Sequence, residues 1–156
     1  MIVAFFGHSN YIGNSLDEKT VLDYLESVAN GEGIEFYLGE YGAFDDFAYN
    51  CAKKYKTHHP SSKLIFITPY ITPEHRRSVA NNLNSRFDLI LYPELEKIPL
   101  KYAIIHRNKW MVDKADLIIV FIKRQFGGAY KTYRYAKQKG KPILNIAPYD
   151  INLGLV

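Results

Sequence analysis

Residues 2–10 read IVAFFGHSN, an apolar run from Ile2 to Phe6 broken by Gly7, His8, Ser9 and Asn10. The run is apolar on both faces instead of alternating, which is the mark of a strand buried inside a parallel sheet. Five more runs share its β-branched and aromatic character: Ile34–Leu38, Leu64–Thr68, Leu89–Tyr92, Leu117–Ile122 and Ile143–Ala147. Helical periodicity fills the gaps. Leu16–Asn30 carries Val21, Leu22, Leu25, Val28 and Ala29 on one stripe, with Ser15 and Glu18 spaced as a capping box and Gly31 as a stop. Phe44–Lys56 places Phe44, Phe47, Ala48, Cys51 and Tyr55 on another stripe, and further helices are expected at Glu74–Asn82, Lys101–Lys114 and Gly128–Lys139. Each parallel connection needs a right-handed crossover, so the alternation predicts an α/β, Rossmann-like three-layer sandwich with a mostly parallel central sheet.

The 156 residues, 47% of them hydrophobic, suit one domain. We assign it residues 1–148, with 149–156 as a C-terminal tail. Residues 92–99, bracketed by Pro93 and Pro99, read as a loop. Cys51 is the single cysteine, so no intramolecular disulfide forms and a reducing, cytoplasmic setting fits. The first apolar run is too short for a signal peptide or a membrane span, and no membrane partner is expected. The net charge of +4 favours an anionic ligand mildly, without the concentrated basic stripe of a duplex-binding domain.

In an open parallel sheet, ligands bind beyond the carboxyl ends of the strands. Three glycine-bearing turns are expected there: Gly7-His8-Ser9-Asn10-Tyr11, Gly39-Glu40-Tyr41-Gly42-Ala43-Phe44-Asp45, and Gln125-Phe126-Gly127-Gly128-Ala129. Glycine allows close backbone approach and positive φ, and a helix opening directly after it offers free N–H groups to a phosphate. Gly127-Gly128, opening the helix that holds Thr132, fits this best. Neither a Walker sequence nor a complete Gly-x-Gly-x-x-Gly is present, which argues against an ordinary P-loop NTPase or a dinucleotide dehydrogenase.

The constellation resembles the SLOG superfamily, Rossmann-like proteins that include the DNA-processing protein DprA and the Lonely Guy phosphoribohydrolases. The resemblance spans nearly the whole chain and is closest to small single-domain, YpsA-like members. It is carried by Gly7-His8, by Gly39 with Gly42-Ala43-Phe44-Asp45, by Arg107 to Val112 leading into Ala115-Asp116, and by Gly127 to Thr132 leading into Tyr135-Ala136. It implies binding of a nucleotide or nucleotide-derived ligand; such a module would act as a sensor or sequestering domain, and no cofactor is expected. In one branch it implies hydrolysis of a nucleoside monophosphate to base and ribose phosphate. That branch pairs an arginine, matched here by Arg107, with a Pro-Gly-Gly-x-Gly-Thr-x-x-Glu stretch. Here Phe126 replaces the proline, and Tyr133-Arg134-Tyr135 stand where acids would be wanted. Asp45 or Glu40 would have to supply the carboxylate.

The expected ligand-binding set is therefore Gly7, His8, Gly39, Gly42, Phe44, Asp45, Arg107, Asn108, Gly127, Gly128, Ala129 and Thr132. Arg107, Asp45 and Glu40 are the catalytic candidates if the protein is an N-glycosidase. Several positions stay open at this level. Asp45 either receives ribose hydroxyls or stabilises a helix start beside Asp46. Phe44 either packs in the core, as its place on the apolar stripe favours, or stacks on a base, and its backbone is open to the ligand in both cases. Arg107 offers a fork for phosphate or makes a surface ion pair. Asn108 shares a face with Ile104 and Met111, so its amide meets backbone or ligand. His8 is a phosphate contact, an acid/base or a structural ring. Trp110 is either a buried anchor or a stacking platform. The histidines and Cys51 form no ligand spacing, so no metal is expected. His75-Arg76-Arg77 reads as a solvated helix start or a single-strand contact. Single-stranded nucleic-acid binding is the second alternative, and Tyr130, Tyr133 and Tyr135 offer a surface for a homo-oligomer.

Overall fold

The computed structural model describes residues 1–40, 42–70 and 86–148. Six strands, β1 (Ile2–Gly7), β2 (Glu35–Leu38), β3 (Lys63–Ile67), β4 (Leu89–Leu91), β5 (Leu117–Phe121) and β6 (Ile143–Asn145), form one sheet in the order β4-β3-β2-β1-β5-β6. Every pairing is parallel, so the expected sheet is present throughout. The described helices are α1 (Ser15–Ala29), α2 (Ala43–His58), α3 (Ala103–Lys114) and α4 (Gly128–Gln138). A single 3-10 turn, Leu100–Tyr102, leads into α3. The helix expected at Glu74–Asn82, with His75-Arg76-Arg77, and the tail 149–156 lie outside the described residues.

Strand alternation sorts the core into two layers, as period-2 geometry requires. Val3, Phe5, Phe36, Leu38, Phe66, Ile119 and Phe121 bury one face against Val21 and Leu25 of α1 and Cys51 and Tyr55 of α2. Ala4, Phe6, Tyr37, Ile65, Ile67, Ile118 and Val120 bury the other against Met111 and Val112 of α3 and Ala136 of α4. Both faces being covered is why the central strands are apolar without alternation. The edge strands β4 and β6, three residues each, have only half-buried or exposed positions. Trp110 stacks on Tyr37 with centroids 5.6 Å apart and planes 13° apart, which makes it a packing anchor. Cys51 is fully buried, and burial pushes its thiol up to about 12, so it stays protonated and inert.

The start of α1 corrects one expectation. The capping box is formed by Asn14 and Asp17, one residue earlier than Ser15 and Glu18: Asn14 Oδ1 accepts from Leu16 N at 2.8 Å, and Asp17 Oδ2 accepts from Asn14 N at 3.2 Å. A tertiary contact selects this register, because the Tyr11 hydroxyl donates to the same Asp17 oxygen at 2.6 Å and Asp17 is buried.

Candidate functional site

From β1 the chain builds outward through β2 and β3 to β4, then returns to lay β5 on the opposite side of β1. The winding direction therefore reverses between β1 and β5, and at such a switch point the loops leaving the two strands diverge and open a crevice. In this protein the crevice lies where the sequence put its glycine turns. Gly7, His8 and Ser9 come from the end of β1, Gly39 from the end of β2, and Arg124, Gly128 and Ala129 from the segment after β5. Ile104, Ile105, Arg107, Asn108 and Met111 of α3 form one wall, and Asp45 of α2 adds a carboxylate. The cavity measures about 200 Å³. At ~30 Å³ of liquid per water, that is room for about six or seven waters, enough for a phosphate with part of a sugar and below the roughly 300–1,000 Å³ of a drug-sized site.

The two helices that open onto this edge begin differently. Gly42, at φ 100, caps α2, and the N–H of Ala43 donates to Ser9 O at 3.0 Å, which ties α2 to the turn after β1. A Cβ on Gly42 would stand 2.9 Å from Ser9 Cα, so both the conformation and the space demand glycine. Gly127, at φ 94, caps α4 with no side-chain cap. The first intrahelical bond of α4 is Lys131 N to Gly127 O at 3.1 Å, and the N–H groups of Gly128, Ala129 and Tyr130 have no acceptor among the described residues. A Cβ on Gly128 would meet nothing within 4 Å. The N-terminus of α4 is thus open, with its positive dipole end over the crevice.

A polar network lies behind this opening. Arg107 is only 4% exposed; its Nη1 donates to Ile67 O at 2.7 Å and its Nε to Asn108 Oδ1 at 2.9 Å. Asn108 Nδ2 donates to Thr132 Oγ1 at 3.3 Å, and Thr132 donates to Gly128 O at 3.1 Å. The network links the end of β3, α3 and the first turn of α4. Arg107 is therefore no surface ion-pair residue. An ideal Cβ on Gly39 would fall 2.8 Å from Asp45 Oδ2 and 3.3 Å from Arg107 Nη1, so Gly39 lets these two opposite charges approach the same point.

His8 is buried, and its Nε2 accepts from Lys123 N at 3.0 Å and Arg124 N at 3.4 Å. It locks the turn after β5, a structural role for a ring that also lines the crevice. Burial and then the charges of Arg124 and Lys123 lower its pKa from the ordinary 6.5. The native state therefore binds this proton more weakly than the unfolded chain does. The associated stability is full above pH 6.5 and is lost as pH falls below it, towards the depressed native value. Denaturant melts at pH 7.5 and 5.5 should show a loss on acidification that shrinks in His8→Gln, whose amide oxygen still accepts but does not titrate. An equal pH dependence in both proteins would refute this assignment.

Of the expected ligand set, Gly7, His8, Gly39, Asp45, Arg107, Asn108, Gly128 and Ala129 meet around the crevice. Gly42, Phe44, Gly127 and Thr132 stand behind it. The Phe44 ring is in the core, as its stripe implied, and Thr132 is spent on Asn108 and Gly128. Glu40 is turned away into an ion pair with Arg86 at 3.1 Å and does not line the cavity. The sequence reading passed over Arg124, although an arginine three residues past the switch-point strand is a direct signal for an anion. Among the described residues no group of three His, Cys, Asp or Glu side chains is placed to hold a metal, and no helix is long and apolar enough to cross a membrane.

No protein-family profile matches the chain, and no curated protein matches it in sequence. Solved structures do match its fold. DNA processing protein A from Helicobacter pylori, whose structure was described for its single-stranded DNA binding mode, superposes with a TM-score of 0.62 at 20% identity over 97% of this chain and 67% of its own. DprA from Streptococcus pneumoniae gives 0.61 at 18% identity over 98% of this chain, which spans about half, 52%, of that protein. The structural-genomics target TM1055 gives 0.55 at 12% identity, covering 99% of this chain and 81% of its own. At these identities the likeness is one of fold, a Rossmann-like fold of the kind DprA has.

Proposed function

We propose that residues 1–148 act as one domain that binds a nucleotide or nucleotide-derived ligand in the switch-point crevice, as a sensor or sequestering module. The phosphate sits on the N–H groups of Gly128 and Ala129, and Asp45 receives a sugar hydroxyl. The observation that carries this reading is the open start of α4, with amides that have no acceptor among the described residues facing a cavity of phosphate-and-sugar size. The SLOG resemblance points the same way.

The test is thermal stabilisation by a panel of nucleoside monophosphates, dinucleotides and cyclic nucleotides. A ligand at one hundred times its dissociation constant adds about 2.7 kcal/mol, which for a chain of this length is roughly 5–11 °C. Gly128→Glu sharpens the test. Its side chain enters open space, and a carboxylate in the first turn favours the helix by about 0.3–1 kcal/mol while repelling an anion. The variant should melt no lower than the parent and lose the ligand-induced shift entirely. A shift that survives in Gly128→Glu would sink the phosphate assignment.

Two other readings give different outcomes. An N-glycosidase would consume the ligand and release free base, with Asp45 as its acid, and Asp45→Asn would stop turnover. Single-stranded nucleic-acid binding, the mode described for the Helicobacter pylori protein, would weaken steeply with salt, whereas one small ligand would respond less.

A further inference from the structure

Arg124 stands between two cavities. On one side is the switch-point crevice; on the other is a second hollow of about 220 Å³ bounded by His8, Asn10, Ile12, Phe121, Lys123 and Arg124. His8 and Arg124 line both. Each hollow alone falls short of the roughly 300–1,000 Å³ of a small-molecule site, and together they come within it.

The divider carries unused hydrogen-bonding capacity. Arg124 Nε is buried and has no hydrogen-bond partner, although a buried charged donor left unpaired is costly and rare. Its Nη1 reaches Asn10 Oδ1 only at a long 3.3 Å, and its guanidinium lies 4.9 Å over the Phe126 ring, a large apolar side chain that is 67% exposed. The backbone N–H groups of Lys123 and Arg124 are pinned by His8 Nε2, so the divider is held in place before any ligand arrives. The second hollow has an apolar floor in Phe121, an exposed apolar rim in Ile12 and a further cation in Lys123. It has the makings of a pocket for a sugar and base next to an anion-binding divider.

We propose that the ligand is a 5′-phosphorylated dinucleotide, its terminal phosphate on the Gly128 and Ala129 amides, one sugar-base half in each hollow, and its bridging phosphate on the Arg124 guanidinium. This rests on the crevice being a nucleotide site and goes beyond it by naming the ligand class and the residue that selects it. The unpaired Nε and the second hollow belong together: a mononucleotide in the crevice leaves the second hollow empty, and a bridging phosphate on the guanidinium spans the two.

Calorimetric titrations of the four nucleoside 5′-monophosphates and of the 5′-phosphorylated dinucleotides pApA, pGpG, pCpC and pUpU against the full chain test it. The best dinucleotide should bind about tenfold or more tightly than its mononucleotide, as expected for a hydrogen bond to a charged group. Arg124→Ala should erase that advantage, costing the dinucleotide about tenfold more affinity than the mononucleotide. Ile12→Trp changes a residue that is 84% exposed and fills the second hollow; it should lower dinucleotide affinity alone. Equal affinity for mono- and dinucleotides overturns the proposal while the crevice reading stands. So does an Arg124→Ala loss of equal size for both, or affinity that keeps growing with oligonucleotide length beyond two residues. Binding of neither class overturns the crevice reading, and this proposal with it.

Discussion

Gly7→Ala is expected to lower the melting temperature by roughly 6–12 °C, the equivalent of about 3 kcal/mol for a chain of this length. A Cβ at this position would overlap the Phe44 ring, and that ring has nowhere to go. It is 1% exposed, with Phe5, Tyr11, Phe47 and Phe121 around it at centroid distances of 6.3, 5.5, 5.7 and 6.3 Å. Interiors are packed too closely to absorb an extra methyl without off-rotamer side chains or backbone shifts. The backbone element free to yield is the first turn of α2, which carries Phe44 and Asp45. The variant should therefore lose ligand affinity as well as stability, because Asp45 moves with the turn. Phe44→Leu should rescue part of the loss, with a coupling of about 0.5–3 kcal/mol in a double-mutant cycle read by denaturant melts. Additive effects would mean that Gly7 is required for backbone approach to a ligand and not for the ring beside it.

The roles of these two residues show how far the sequence could be read. The pattern at 2–10 announced a buried parallel strand followed by a turn, and the same reasoning located all six strands to within two residues at either end: both-face burial leaves a direct trace in the composition of the central strands, and apolar, β-branched residues mark the short, half-buried edge strands. The region of the site followed from topology, since parallel strands send their carboxyl ends to one edge. Individual roles did not follow, because they depend on side-chain contacts made between elements or across loops, which residue spacing does not encode. Gly7 reads locally as a phosphate glycine, and only the fold shows that the Phe44 ring, on another element, also demands glycine there. The capping register of α1 turned on Tyr11 reaching Asp17. His8 faced three roles until Lys123 and Arg124, 115 and 116 residues away, were found donating to its ring. Arg124 itself was missed for the complementary reason: its significance lies in an unpaired Nε and in a second hollow, and neither is encoded in local spacing.

Arg107 gives the second large effect, and it separates architecture from ligand chemistry. Arg107→Ala should cost about 3–5 kcal/mol, a fall of roughly 6–20 °C in melting temperature. Two of its N–H groups serve buried acceptors, Ile67 O at the end of β3 and Asn108 Oδ1 on α3, and an acceptor left without its donor costs about 1–3 kcal/mol. Asn108 would then be free to turn, and with it the contact to Thr132 that steadies the first turn of α4. Arg107→Lys is the more informative substitution. A lysine keeps the charge, but its three donors sit on one nitrogen, whereas Arg107 meets Asn108 Oδ1 from Nε and Ile67 O from Nη1, so one ammonium serves the two acceptors less well in the observed geometry. It should recover about half of the lost stability. If Arg107 acts mainly by holding β3, α3 and α4 together, ligand affinity in Arg107→Lys will follow the recovered stability. If it meets the phosphate itself, affinity will stay low while the melting temperature rises. Melting and ligand titration of the parent, Arg107→Lys and Arg107→Ala, measured side by side, separate the two roles. An Arg107→Ala protein that loses less than about 1 kcal/mol would show that the buried guanidinium is no structural tie, and the matching arginine of the phosphoribohydrolase branch would then be the better guide to its role.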